Sequence, residues 1–127
     1  MIRVAIAEDH PEMRVALRLL IRLFSDMELV CVTSNGQEAI DCVKRLQPNV
    51  LVMDIYMPEG NGFDVTKELV ELAVPTRVIL ISLQRGWFIT KQAVDVGAQG
   101  FLPKDDLVTL LRPALEAVAR GETFFVE

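Results

Sequence analysis

The amino-acid sequence predicts an α/β fold in which helices cover both faces of a doubly wound, five-stranded parallel sheet. Strand and helix signals alternate five times along the 127 residues, and short connections join them, which is the pattern of a parallel sheet with crossover helices. The strand segments are almost continuous apolar runs, as expected of parallel strands buried on both faces. No internal repeat or linker divides the chain, so residues 1–127 are predicted to form one domain.

The first strand–helix unit is predicted at residues 3–7 and 11–24. RVAIA is short and apolar, and the segment after it has the spacing of a helix with one apolar face: Met13, Leu17, Leu20, Ile21 and Phe24. Pro11 suits the first helical position, and Asp9 or His10 is the expected cap.

The second and third units follow the same pattern. A β-branched strand is predicted at residues 28–34 and a helix at 37–46, with Asn35-Gly36 as the turn between them. The third strand, NVLVMD, ends on a single acid, and a loop rich in glycine leads to a helix over GFDVTKELVELA.

The last two units complete the predicted sheet. They are a strand at 77–82, a helix at 86–97 closed by Gly97, a short strand at 98–103 and a helix at 106–121. Pro113 lies inside the last helix, where it removes one backbone donor, so a kink or a late helix start is expected. ETFFVE has no place in this scheme; its two phenylalanines either pack on the sheet edge or lead into a further domain.

Composition and charge narrow the possible function. The formal charge of −5 argues against direct contact between this domain and nucleic acid. No signal peptide opens the chain and no apolar run approaches the roughly 18 residues of a membrane span, so a cytoplasmic protein without a membrane partner is expected. Cys31 and Cys42 are predicted to be free and buried.

Polar side chains follow the apolar strands where each strand ends. Glu8 and Asp9 follow the first strand, Asp54 ends the third, Ser82 ends the fourth and Lys104 follows the fifth. In a sheet with strand order 2-1-3-4-5 these four strands are consecutive, so their carboxyl ends border one cleft. The sequence therefore predicts one site that contains all these groups.

The types of these side chains indicate phosphoryl chemistry. Three neighbouring carboxylates repel one another and need a cation or shared protons. Oxygen ligands favour Mg²⁺, which helps a site to receive a phosphoryl group, and a lysine can face the phosphoryl oxygens. A carboxylate can be the nucleophile, and Asp54 is the central candidate.

Four segments resemble the signature motifs of the response-regulator receiver domain of bacterial two-component signalling: AEDHPEMR, VLVMDIYMPEGNGFD, VILIS and GAQGFLPKD. The resemblance extends over essentially the whole chain, and it implies a flavodoxin-like sheet of order 2-1-3-4-5. EDHP and AVARGETFF are most similar to the subfamily whose receiver precedes a helix-turn-helix (LuxR-type) DNA-binding output domain. No such output domain is present in this chain.

The resemblance assigns roles to the residues of the cleft. Asp54 would be the phosphoacceptor. Asp9 and Asp54 would bind Mg²⁺ together with the backbone carbonyl of Tyr56, and Glu8 would help through water. Lys104 would pair with a phosphoryl oxygen.

Two further residues would form the switch. Ser82 would hydrogen-bond a phosphoryl oxygen and move inward, and Phe101 would change between outward and inward positions with it. A histidine kinase or phosphotransfer protein would supply the phosphoryl group. Phosphorylation would change the surface formed by helix four, strand five and helix five, which includes Trp87, Phe88 and residues 107–114. A homodimer through this surface is plausible.

The sequence departs from the usual pattern of the family at Leu83 and around Pro103, and two further positions bear on the lifetime of the phosphoryl group. Leu83 stands where a small residue is usual and would narrow access to the acceptor. Tyr56 and Gln84 occupy the two positions that tune how fast the phosphoryl group is lost, and a bulky Tyr56 would shield it from water. Pro103 precedes Lys104, whereas many relatives have a proline directly after the lysine.

Simpler interpretations remain open for individual residues. Phe101 can be a static core residue, and Trp87-Phe88 a packed helix face. His10, the only histidine, is interpreted as a loop or cap residue rather than as a ligand.

Two other functions compete with the signalling switch. One is an Mg²⁺-dependent phosphohydrolase with an aspartyl-phosphate intermediate, but its usual second acid is replaced here by Tyr56. The other is an interaction module that works without phosphorylation, which an incomplete acid cluster would favour. We therefore predict a phosphorylation-dependent switch that turns over no external substrate.

Overall fold

The structure is a computed structural model that describes residues 1–127. Its strands are β1 (Ile2–Ala7), β2 (Met27–Thr33), β3 (Val50–Asp54), β4 (Arg77–Ser82), β5 (Gly100–Pro103) and β6 (Phe124–Phe125). Its helices are α1 (Pro11–Arg22), α2 (Gly36–Leu46), α3 (Gly62–Glu71), α4 (Trp87–Val96) and α5 (Leu107–Ala119). The alternation of strands and helices predicted from the sequence is thus present.

All six strands are parallel and lie in the order β2-β1-β3-β4-β5-β6. The predicted order 2-1-3-4-5 is confirmed, but the prediction of five strands is wrong. The sixth strand forms because the amides of Phe124 and Val126 donate to Gln99 and Phe101 on the free edge of β5, at 2.9 and 3.0 Å. A strand of two residues is too short to leave an alternating pattern in a sequence.

The core lies on both faces of the sheet. Leu51 and Met53 of β3 pack with α2, α3 and α4, whereas Val50 and Val52 pack with α1 and α5. Each of these four side chains is fully buried. The continuous apolar runs therefore have the two-sided burial that was predicted for parallel strands.

Helix ends differ from the predicted ones in two places. His10, one of the two predicted residues, occupies the cap position of α1, but its side chain makes no capping bond, so only the position of the predicted cap is confirmed. The Glu8 carboxylate instead accepts the His10 amide at 3.2 Å. Glu8 and Asp9 point into the site, which leaves the start of α1 without a polar cap.

Helix α5 is continuous across Pro113. It runs without interruption from Leu107 to Ala119 and is preceded by a short 3-10 turn at Lys104–Asp106. A late helix start at Pro113 is therefore wrong. Pro113 is exposed, so the Thr109 carbonyl that loses its helical donor is in the part of the helix that water reaches.

None of the five helices is both long and apolar enough to cross a membrane. Cys31 on β2 is partly buried and Cys42 on α2 is buried, and both are free, as predicted.

Candidate functional site

The carboxyl ends of β1, β3, β4 and β5 bring the predicted polar residues together. Asp54 and Ser82 end their strands, and Glu8 and Lys104 directly follow theirs. All four are buried, and Glu8 and Ser82 have no exposed surface. Buried polar groups are costly unless they are paired, so such a group of residues at one sheet end indicates a functional site.

Lys104 lies at the centre of this group. Its Nζ is 3.2 Å from Asp54 Oδ2 and donates a hydrogen bond of 3.2 Å to Glu8 Oε1. Glu8 Oε2 is also only 3.1 Å away, but it makes no hydrogen bond with the lysine. One ammonium thus holds two buried carboxylates, and the site keeps an excess of negative charge.

The electrostatics of Asp54 follow from this crowding. The pKa of the Asp54 carboxyl is raised from 3.8 to about 6, first by its burial and then by the nearby Glu8 carboxylate. Lys104 and the Tyr56 amide, which donates to Asp54 Oδ1 at 3.3 Å, act in the opposite direction. The desolvation of the carboxylate outweighs its pairing with the lysine.

The acids also form a cluster with the dimensions of a cation site. One ligand atom from each of Glu8, Asp9, His10 and Asp54 lies within 4.8 Å of the others. Glu8 Oε2 and Asp9 Oδ1 are buried and have no hydrogen-bond partner. Buried carboxylate oxygens without donors fit a hard divalent cation, which would supply the missing positive charge.

His10 is the member of this cluster that sequence reasoning set aside. Its Nδ1 is 3.2 Å from Glu8 Oε1 and 3.4 Å from Asp9 Oδ1, although its ring is 66% exposed. The available signal was its position next to Glu8-Asp9 in the sequence.

Arg14 is a second residue that sequence reasoning missed. Its guanidinium on α1 donates to the main-chain carbonyls of Glu8 and Asp9 at 2.9 and 3.3 Å. It therefore holds the loop that carries two of the acids. A bond from a helix surface back to a preceding loop leaves no pattern in the sequence.

The mouth of the site is framed by the residues after β3 and β4. A cavity of about 190 Å³ is lined by His10, Asp54, Tyr56, Ser82, Leu83, Gln84 and Lys104. The Tyr56 hydroxyl donates to Gln84 Oε1 at 3.2 Å, so the two predicted tuning positions are joined across the opening. Leu83 is 68% exposed and lines the same opening.

The two predicted switch residues lie on neighbouring strands. Ser82 Oγ accepts the Gln84 amide at 3.0 Å, so its hydroxyl is tied to its own loop. Phe101 has no exposed surface and lies in the core cluster beneath α4. The ring of Phe101 is thus in an inward position in this structure.

The chain matches the model of the response regulator receiver domain over residues 4–115. Among curated relatives, the transcriptional regulatory protein DesR of Bacillus subtilis is 34% identical over 98% of this chain and 62% of its own length. YvfU of the same species, an uncharacterized transcriptional regulatory protein, is 35% identical over 98% of this chain and likewise 62% of its length. The receiver domain of the response regulator NarL from Mycobacterium tuberculosis superposes with a TM-score of 0.91 at 32% identity, covering 95% of this chain and 98% of that one.

The chain therefore belongs to the response regulator receiver domain family, as its motifs predicted. Receiver domains of this family are phosphorylation-controlled switches of two-component systems and not turnover enzymes, and the family binds Mg²⁺ at an acidic pocket. The phosphohydrolase alternative is thereby excluded. The chain spans 55 to 62% of the length of the curated transcriptional regulators that it matches first.

Proposed function

We propose that the chain is the receiver switch of a cytoplasmic transcriptional response regulator and that Asp54 accepts the phosphoryl group from a histidine kinase or phosphotransfer protein. The observation that carries this proposal is the position of Lys104 between Asp54 and Glu8 at 3.1 to 3.2 Å. A buried nucleophilic carboxylate beside a fixed ammonium and a cluster of unpartnered acid oxygens suits phosphoryl transfer better than any structural role.

In the transfer, Asp54 acts as the nucleophile. One of its carboxylate oxygens forms the new bond to phosphorus while the bond from phosphorus to the imidazole nitrogen of the donor breaks. The phosphoryl group adds negative charge beside Asp54. The Lys104 ammonium therefore moves from the Asp54 carboxylate to an oxygen of the phosphoryl group. With a pKa of about 6, Asp54 is mostly ionised at neutral pH and therefore competent to attack.

Glu8, Asp9 and Asp54 are the side chains that would hold Mg²⁺, together with the Tyr56 carbonyl. When bound, the ion neutralises the charge that the phosphoryl oxygens bring to the acidic cluster. The buried Asp9 Oδ1, which has no hydrogen-bond partner within the protein, supports this assignment.

The phosphoryl group then acts through Ser82 and Phe101. Ser82 would exchange its bond with the Gln84 amide for one with a phosphoryl oxygen, and Phe101 on the adjacent strand would respond. Moving a switch from mostly off to mostly on needs about 5.5 kcal/mol of differential stabilisation. Charge-assisted bonds from Lys104 and Ser82 are of a suitable order to supply most of it.

The output would be a change of the α4–β5–α5 face. Trp87 and Phe88 are 66% and 53% exposed there, and their rings pack edge to face with centroids 6.1 Å apart. Exposed aromatic residues are typical of partner surfaces. The similarity to transcriptional regulatory proteins that are longer than this chain supports a DNA-binding, helix-turn-helix output domain in the whole protein. Dimerisation through the same face on phosphorylation is a further part of this proposal.

The test is the intact mass of the protein after incubation with Mg²⁺ and acetyl phosphate. The native chain should gain one phosphoryl group and Asp54→Ala none, whereas Asp64→Asn, which changes an acid of α3 outside the site, should react like the native chain. Because Leu83 can hinder a small donor, a phosphorylated histidine phosphotransfer protein is the second donor. Failure with both donors contradicts the proposal.

A further inference from the structure

The strand β6 and the two residues after it form a segment, 124–127, that lies against the predicted switch. Phe124 is opposite Gly100 and Phe125 is opposite Phe101 in the parallel pairing with β5. Gly100 permits this approach, because a Cβ at that position would be 3.0 Å from the Phe124 carbonyl oxygen. The Phe101 carbonyl itself accepts the Val126 amide at 3.0 Å.

The side chains of this segment are divided between the two faces of the sheet. Phe125 packs against the cluster that contains Phe101, and Phe124 and Val126 pack against the cluster beneath α1 and α5. Each of the three is only partly buried. A paired strand of two residues is marginal by itself, so its position depends on further anchors.

Those anchors come from the loop after Ser82 and from α4. Arg85 donates to the main-chain oxygen of Glu127 through Nε at 3.2 Å and Nη2 at 2.6 Å. Its Nη1 is also 3.4 Å from Asp106, in the 3-10 turn that begins with Lys104. The Thr90 hydroxyl on α4 adds a longer bond of 3.4 Å to the Val126 carbonyl.

Arg85 therefore connects three parts of the molecule: the loop of the switch serine, the turn that carries the site lysine, and segment 124–127. We propose that Arg85 is a positioning residue that couples the acceptor site to this segment, so that a phosphoryl group on Asp54 loosens the segment from β5. This coupling rests on the proposed function, because the phosphoryl group is its input.

The direction of the coupling follows from the hydrogen bonds of the loop. Ser82 Oγ holds the Gln84 amide, so drawing Ser82 towards the acceptor breaks that bond and shifts the residues up to Arg85. The guanidinium then leaves the Glu127 oxygen, while its ion pair with Asp106 remains a competing partner. Segment 124–127 then keeps its backbone pairing, its partial side-chain packing and the Thr90 bond but loses its bond to Arg85, so its amides open more often.

The experiment is hydrogen exchange of residues 122–127 with and without Mg²⁺ and beryllium fluoride, a phosphomimetic that has been used on the related receiver domain of RcsB. Fluorine NMR of bound fluoride shows independently whether the acceptor site is filled. Filling the site should speed exchange of the Phe124 and Val126 amides about tenfold, as expected for the loss of one hydrogen bond to a charged group.

Arg85→Ala is the informative variant. Its segment should already exchange fast without the phosphomimetic, and filling the site should add little. By reciprocity of linked equilibria, it should also bind the phosphomimetic more tightly than the native chain. Arg112→Ala is the matched control, because Arg112 is 45% exposed against 46% for Arg85. Its ion pairs with Asp26 at 3.3 Å and Glu116 at 3.9 Å do not involve the segment.

The outcomes separate the two proposals. A filled site with unchanged or slower exchange overturns the coupling and leaves the proposed function standing. A native-like response in Arg85→Ala, or loss of the response in Arg112→Ala as well, overturns the role of Arg85. No bound fluoride together with no mass gain from either phosphoryl donor overturns the proposed function and the coupling with it.

Discussion

Asp54 combines burial with ionisation, and its proposed role as phosphoacceptor rests on this combination. The carboxylate is 2% exposed, and it shares a single lysine with Glu8, whose side chain is entirely buried. A negative charge that is poorly solvated and only partly neutralised is destabilised in the resting state. In the proposed function, a bound cation and transfer of a phosphoryl group to Asp54 would together remove that disadvantage.

The pH dependence of stability in the metal-free protein should reveal this state of Asp54. Its pKa is about 6 in the folded chain and near its ordinary 3.8 when unfolded, so the folded chain binds the proton more tightly. Its contribution to stability therefore grows as the pH falls through 6 towards 3.8, and is lost as the pH rises above 6. Between pH 7 and pH 5 the gain should be roughly 1 kcal/mol.

Urea unfolding in the presence of EDTA at pH 7, 6 and 5 measures this gain. Asp54→Asn cannot titrate at this position, so the difference in free energy of unfolding between it and the native chain should change with pH by that amount. If this difference stays constant from pH 7 to pH 5, Asp54 is not the group that makes the stability of the folded chain depend on pH.

Tyr56 should control how long the phosphoryl group survives. Its ring lies at the opening and its hydroxyl is held by Gln84 at 3.2 Å, so it restricts the approach of water to Asp54. Tyr56→Ala should shorten the lifetime of the phosphorylated protein severalfold, measured as loss of the phosphoryl mass after removal of the donor. Tyr56→Phe keeps the ring and loses the hydrogen bond to Gln84, so its phosphorylated form should have a lifetime between those of the native chain and Tyr56→Ala. A lifetime that Tyr56→Ala leaves unchanged contradicts shielding.

At the scale of elements, α5 tolerates a proline that the sequence pattern marks as a break. The helix continues through Pro113 because the residues on either side that face the sheet, Leu111 and Ala114, are fully buried. Tertiary packing thus outweighs the missing hydrogen bond to the Thr109 carbonyl.

Pro113→Ala should stabilise the protein. The substitution restores the backbone donor in an exposed position of a helix that already exists, so we expect a gain of about 1–3 kcal/mol in urea unfolding. Pro75→Ala is the control, since Pro75 lies in a bend before β4, where proline restricts the unfolded chain; its loss should destabilise slightly. A destabilising Pro113→Ala would mean that the proline is needed for the local path of α5.

At the scale of the whole molecule, the two-sided core controls the chemistry of its cysteines. Burial, together with the neighbouring Cys31, raises the pKa of the Cys42 thiol to about 12, so the reactive thiolate is scarce at pH 8. Cys42 should therefore react with iodoacetamide only when the molecule unfolds. Its labelling rate, followed by peptide mass against urea concentration, should track the unfolded fraction.

Cys31 serves as the internal comparison, because it is partly buried on the edge strand β2 and is labelled in the same sample. Labelling of Cys42 at the rate of a free thiol in the absence of urea would show that α2 opens locally, without global unfolding.

Much of the fold was predictable because parallel strands and amphipathic helices leave strong periodic patterns. The strand order β2-β1-β3-β4-β5 and the gathering of Glu8, Asp54, Ser82 and Lys104 at one end of the sheet agree with the sequence analysis. The side-chain cap of α1 and a late start of α5 at Pro113 were predicted wrongly. Packing of the two terminal phenylalanines on the sheet edge was one of two alternatives, but the strand β6 was not predicted. The start of α1 depends on Glu8, which Lys104 holds from 96 positions away. The path of α5 and strand β6 depend on packing or pairing between distant segments, which no local pattern contains.

The sequence by itself determined the class of fold, the family and the types of side chain at the site, because these follow from hydrophobic periodicity and from acids, a serine and a lysine placed directly after buried strands. Only the tertiary structure decided how these groups share their charge. One lysine serves two carboxylates, two acid oxygens are left without donors, and Arg85 ties the switch loop to segment 124–127. The physical reason is that burial and pairing depend on distances of a few ångströms between residues up to 96 positions apart.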